Sequence, residues 1–218
     1  MPQILGGTVG PQTNTGDGST PPAGLRQGRA GETVVTELHG KYYEQSYRGR
    51  VFWATMTAGV IFPAPAATAA NVMTLANPAS SGVNLSLIAF DMVTTVIPGT
   101  PLTGLYGLYV NNNPVAAAVT GTALAAIAMP LGSGAVPSAK PLTTSTVPVA
   151  PTLLKPFAQK VTGEVATVFP NPYLPDVHID IDGTIVVGQG CAITPQQTVP
   201  DTTNATVICS FVWEEIPV

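Results

Sequence analysis

The stretch Val177 to Val218, VHIDIDGTIVVGQGCAITPQQTVPDTTNATVICSFVWEEIPV, decides the fold class. Val177, Ile179 and Ile181 alternate with His178, Asp180 and Asp182, the period-2 pattern of a strand with one buried and one wet face. Asp182-Gly183 then predicts a hairpin reversal, because a tight turn needs positive φ and that dipeptide reaches it at little cost. Thr184 to Val187 is β-branched throughout, and Gly188, Gly190 and Pro195 punctuate the way to a last strand, Ala205 to Trp213. There Val207, Cys209, Phe211 and Trp213 share one face. Two strands alone leave that face in water, so the earlier chain must supply an opposing sheet.

Working outward, 218 residues suit one all-β sandwich with a core of its own. The 22 Gly and 22 Pro cut the chain into short extended pieces. Only 9% of the residues are charged, against about 25% in ordinary soluble chains. A net charge of -4 argues against nucleic acid as a partner. Apolar runs are broken by Pro, Gly and Thr well before the roughly 20 residues of a membrane span, and the start has no signal-peptide pattern, so synthesis in a cytoplasm is expected. In that setting Cys191 and Cys209, one in each arm of the expected hairpin, read as two free thiols, with a cross-strand disulfide as the alternative.

Residues 1–31 are Gly-, Pro-, Thr- and Asn-rich without apolar periodicity, a composition that fits a disordered tail or an extended N-terminal arm crossing a neighbouring subunit. Ile4, Leu5 and Leu25 are its apolar anchors. Residues 32–218 form the sandwich domain, with strands predicted at Thr33 to Leu38, Tyr42 to Tyr47, Val51 to Thr57, Val72 to Ala76, Val83 to Ile97, Leu105 to Val110 and Val161 to Phe169. Five basic residues, Arg26, Arg29, Lys41, Arg48 and Arg50, fall in the first fifty positions beside Tyr42, Tyr43 and Tyr47. They read either as a solvated mixed-charge edge or as a contact surface with aromatic anchors. Ala116 to Ala128 suggests a short helix, and the rest of Asn111 to Lys160 a long loop or arm crossing a sheet. From Val51 to Ala139 the only charged side chain is Asp91, which implies a surface that other chains cover, since no ion there must be stripped of water.

Chemistry is sparse. His178, Asp180 and Asp182 on one strand face could in principle hold a cation, but a solvated strand face beside a turn is the preferred reading. No HExxH, CxxC pair, P-loop, GxGxxG or GxSxG occurs. Glu214 and Glu215 are adjacent in a strand and point to opposite faces, so they cannot form a glycosidase pair together. Trp53, Trp213 and the tyrosines could stack on sugar rings, although a Trp in phase with Val207 and Phe211 reads as core. Neither a cofactor nor a metal is expected.

A set of segments points further. Tyr43-Glu44-Gln45-Ser46-Tyr47-Arg48-Gly49-Arg50-Val51-Phe52, then Thr57-Ala58-Gly59-Val60, Leu75-Ala76-Asn77-Pro78 and Ser81-Gly82-Val83-Asn84-Leu85, and the Trp213-Glu214-Glu215 ending, together resemble small capsid decoration (cement) and head-spike proteins of tailed bacteriophages. The resemblance is an order of turns and strands over roughly residues 33 to 218. It implies an all-β, jelly-roll-like antiparallel β-sandwich with an extended N-terminal arm, without enzymatic activity. It further implies a homotrimer on the outside of the virion that bridges major capsid subunits. Ile4, Leu5, Leu25, Arg26, Arg29, Tyr42, Tyr43, Tyr47, Arg48 and Arg50 are the expected contact residues. The alternatives are a fibre or receptor-binding domain meeting host polysaccharide, and a polysaccharide-active enzyme.

Overall fold

In a computed structural model the chain is described over residues 41–61, 73–96, 104–112, 119–160, 176–198 and 206–218. It divides into two units, Met1–Tyr43 and Glu44–Val218, and the strands of the described residues all fall in the second. In chain order the elements are α1 (Tyr43–Tyr47), β1 (Val51–Thr55), β2 (Thr74–Ala76), β3 (Val83–Val96), β4 (Gly104–Asn111), β5 (Thr120–Ala123), β6 (Ala126–Met129), β7 (Lys140–Thr146), β8 (Thr152–Lys160), β9 (Val177–Asp180), β10 (Val186–Val187), β11 (Ala192–Gln197) and β12 (Thr206–Pro217).

Antiparallel pairing nests these strands as a folded ribbon: β1 with β12, β2 with β11, β3 with β9 and β10, β4 with β8. The ribbon closes on itself where β12 also pairs β3 and β11 also pairs β4. That is jelly-roll connectivity, a two-sheet sandwich. The front sheet runs β6, β1, β12, β3 and then β9 and β10; the back sheet runs β5, β7, β2, β11, β4, β8. Strands β5 to β7 are an insertion between β4 and β8, and they extend both sheets on one side, β6 on β1 and β7 on β2. Asn77, just past β2, ties the sheets together: its Nδ2 donates to Val83 O and to Val187 O, both at 2.9 Å.

The core lies between the sheets, and β12 supplies its centre. Val207, Cys209, Phe211 and Trp213 are all at most 3% exposed, as their alternation predicts. Phe211 meets Phe90 at 5.0 Å between ring centroids, Phe90 meets Phe157 at 5.2 Å, and Trp213 stacks on Phe52 at 5.9 Å. Each such ring removes enough apolar surface from water to contribute about 1.5–3 kcal/mol. β3 keeps pace only through a bulge: the pairing skips Ile88, so Leu85 and Leu87 point inward before it and Phe90 and Met92 after it.

The bulge overturns one expectation. Asp182 and Gly183 do adopt left-handed backbone, at φ 52 and 78, but they do not reverse the chain. β9 and β10 run on in the same direction along one edge of β3. The turn between them wraps the displaced Ile88 carbonyl, which accepts from both Ile181 N and Asp182 N at 2.8 and 2.9 Å, while Gly183 N reaches Leu87 O. A bulge puts an extra peptide group on one strand, and its neighbour must bend to satisfy it. The two cysteines consequently belong to opposite sheets, Cys209 in β12 and Cys191 just before β11, and both are free thiols.

Three further expectations are corrected. Tyr42 to Tyr47 is not a strand: α1 forms there, with Arg48 N bonded to Glu44 O at 3.0 Å and the Glu44 and Arg48 side chains paired one turn apart. The described part of Ala116 to Ala128 holds β5 and β6 rather than a helix. Gly121 explains the choice, since a Cβ there would lie 2.9 Å from Thr143 O, an approach only a bare backbone allows. Asn111 to Lys160 is not a long loop; it contributes β5, β6, β7 and β8. The predicted strands Thr33 to Leu38 and Val161 to Phe169, and the arm at residues 1–31, lie outside the described residues.

Candidate interaction surface

The expected contact residues fall into separate groups. Ile4, Leu5, Leu25, Arg26 and Arg29 lie outside the described residues. Lys41 sits over the ring of Tyr42, 5.1 Å from its centroid. Tyr43 and Tyr47 end α1 with 45% and 57% of their surface exposed. Arg48 does not present a free cation, because its Nε donates to Glu44 Oε1 at 2.7 Å. Arg50 is half-buried; its carbonyl accepts from Glu215 N at 2.9 Å. Its guanidinium opposes the rise that burial imposes on the Glu214 carboxyl.

Glu214 and Glu215 point to opposite sides of β12, as their adjacency requires. Glu215 is buried and holds the β6–β7 connection, its carboxylate accepting from Ser138 N at 3.0 Å and Ala139 N at 2.8 Å. Trp213 Nε1 reaches the same carboxylate at 3.5 Å. The insertion is thereby fastened to the last strand by one charged group.

The outer face of the front sheet carries exposed apolar residues in ordered rows. One row crosses the strands as Ile127, Trp53, Val212, Ala89 and Asp180. The next runs Thr55, Ser210, Asp91 and His178. Trp53 is 40% exposed and Ile127 54%, with Val93 and Val186 similarly open. Trp53 is therefore not core, unlike Trp213; its Nε1 donates to Thr55 Oγ1 at 3.0 Å, leaving the ring face to solvent. Phe52 and Ala54, in the other phase of β1, take the buried positions.

His178 does gather acids, but not the predicted set. Its Nδ1 lies 2.5 Å from Asp91 Oδ1 and its Nε2 3.2 Å from Asp180 Oδ1, while Asp182 belongs to the left-handed turn. Asp91 comes from β3, the neighbour in register, and its second oxygen accepts from Ser210 Oγ at 3.1 Å. Sequence spacing could not find it, although its standing as the only charge between Val51 and Ala139 was the available signal. The hydrogen bond from Asp91, then its charge, then Asp180, raise the His178 pKa. Ser210 donates to the acid rather than to the imidazole, so this is not a nucleophile–base arrangement. Among the described residues no group of three or more His, Cys, Asp or Glu is placed to hold a metal ion. Burial pushes the Cys209 thiol far up and the Cys191 thiol up, which keeps both un-ionised.

A shallow groove of about 450 Å³ lies in the insertion, lined by residues such as Leu124, Val136, Pro137 and Leu142, with Lys140 at its margin. No helix among the described residues is long and apolar enough to cross a membrane. No family model, no curated protein and no solved structure matches the chain.

Proposed function

We propose that this chain is a structural protein of a tailed-bacteriophage particle that binds the outside of the capsid and stabilises the shell by bridging major capsid subunits. The supporting observation is the outer face of the front sheet: Trp53, Ile127, Val93 and Val186 are each exposed, and no described strand of that sheet carries a Lys or Arg. The Ile127, Trp53 and Val212 part of that face loses little hydration free energy when another protein covers it, while the face's ions Asp91, His178 and Asp180 gather on β3 and β9. Jelly rolls occur in viral capsid and lectin domains alike, so the fold leaves the role open and the face carries the weight. Binding only to the assembled lattice lowers the free energy of that lattice against its dissociated subunits, and repeated symmetric contacts add through multivalency. A homotrimer is the expected working unit.

A fibre or receptor-binding domain is the second reading, favoured by the open ring of Trp53 beside a hydroxyl- and carboxylate-bearing row. Copy number separates the two. Quantitative mass spectrometry of purified virions against the major capsid protein is expected to give hundreds of copies. A handful would move the protein to a fibre, and none would refute both.

A further inference from the structure

Charge is sorted between the two sheets. Setting His178 aside, the charged residues on front-sheet strands are all acidic: Asp91 on β3, Asp180 on β9, Glu214 and Glu215 on β12. Those on back-sheet strands are all lysine: Lys140 on β7, Lys155 and Lys160 on β8. The remaining strands carry none. β8 is also the last described strand of the back sheet, and no described strand pairs with its outer edge. Its pairing with β4 skips Leu154, and the bulge sets Leu153, Leu154 and Lys155 side by side in solvent, the two leucines 38% and 47% exposed. β8 keeps devices that blunt a strand edge, the bulge, Lys155 and Pro156, so a contact there runs through its exposed side chains and not through strand pairing.

We infer that a second copy of this chain covers the outer face of the front sheet, seating its β8 there in a head-to-tail contact. This deepens the proposed function and rests on its reading of the front face as one that protein covers: a neighbouring copy takes the part from Trp53 to Asp180, and Ile127 and Val93 stay open to the shell. Lys155 of one copy meets Asp180 and Asp91 of the next, and Leu153 and Leu154 pack on Val212 and Trp53. Asp180 is 74% exposed on its side chain and Asp91 28%, so both can be reached. The spacings agree: Asp180 to Val212 spans two strand separations, about 10 Å, while Leu153 to Lys155 spans about 7 Å and the lysine stem covers the difference. His178, Asp176 and Ser210 flank the same patch, and none brings a permanent positive charge to compete with Lys155. A two-fold contact of front face on front face would set acid against acid, whereas a heterologous one pairs unlike charges and closes into a ring when the rotation allows.

Sedimentation velocity and light scattering of the full chain, at low and high salt, test the contact. The wild type is expected to associate, more weakly as salt rises. Asp180→Lys and Lys155→Glu should each weaken association about tenfold or more, and the chain carrying both should recover it, because the reversed pair again faces across the interface. Both positions are exposed, so matching unfolding temperatures will show that the fold is intact. A wild type that stays monomeric, single reversals without effect, or a double variant no better than the singles would each overturn the contact. Virion copy number is read separately: a chain monomeric in isolation yet abundant on particles overturns this contact and leaves the capsid reading standing.

Discussion

Replacing Glu215 by Ala isolates the one charged group that fastens the insertion to the core. The substitution leaves Ala139 N buried without that acceptor, while Ser138, an exposed residue, loses the same partner at its amide. Each charge-assisted bond contributes about 1.5–3 kcal/mol, and a donor stranded in the interior costs a similar amount. Water reaches the Ser138 amide more easily, and removing the carboxylate also removes its own desolvation cost. The balance is a loss of about 3 kcal/mol, which for a domain of this size lowers the unfolding temperature by about 9 °C. Glu215→Gln keeps one acceptor for Ala139 N and turns an amide N–H₂ toward Ser138 N, so it should fall between wild type and Ala. Urea denaturation and calorimetry give the stabilities, and hydrogen exchange at Ser138 and Ala139 reports whether those amides have opened. If Glu215→Ala stays within about 0.5 kcal/mol of wild type, the carboxylate does not hold the insertion and the reasoning fails.

Two smaller perturbations test the β3 edge. Gly183→Ala should destabilise by about 2 kcal/mol in urea denaturation, because a side chain at φ 78 is strained and its Cβ would lie 3.0 Å from Ser86 Oγ; an unchanged midpoint would mean the turn is free to relax. The raised pKa of His178 means that its protonated form favours the folded state, so the contribution is complete below the ordinary value of 6.5 and fades as pH rises through the raised value. From pH 6 upward the wild type should therefore lose unfolding temperature faster than His178→Gln; parallel curves would show that the imidazole's contacts with Asp91 and Asp180 contribute nothing.

The candidate surface was harder to read in the sequence than the core was. Trp53 lies in a run, Val51-Phe52-Trp53-Ala54-Thr55, in which both phases are apolar, so periodicity could not say which ring faces inward. Asp91 and His178 are far apart in the chain and meet only because β9 pairs with β3. Arg48 looked available to a partner until α1 placed Glu44 one turn before it. The sequence pattern pointed to a strand at Tyr42 to Tyr47, but the Glu44–Arg48 pair and the backbone bonds of one turn belong to a helix.

What the amino-acid order determined by itself is local and periodic: an all-β chain, the inward set Val207, Cys209, Phe211 and Trp213, the left-handed backbone at Asp182 and Gly183, and the divergence of Glu214 from Glu215. These follow from side-chain alternation and from turn chemistry, which act between near neighbours. The tertiary structure alone decided the rest. It turned the expected hairpin into a bracket around the Ile88 bulge, drew β5 to β7 out as an insertion, sent Cys191 and Cys209 to opposite sheets, and sorted acids from lysines. Each of those depends on which strand lies beside which, and strand pairing is settled by burial across the whole sandwich, where no short window of sequence holds both partners.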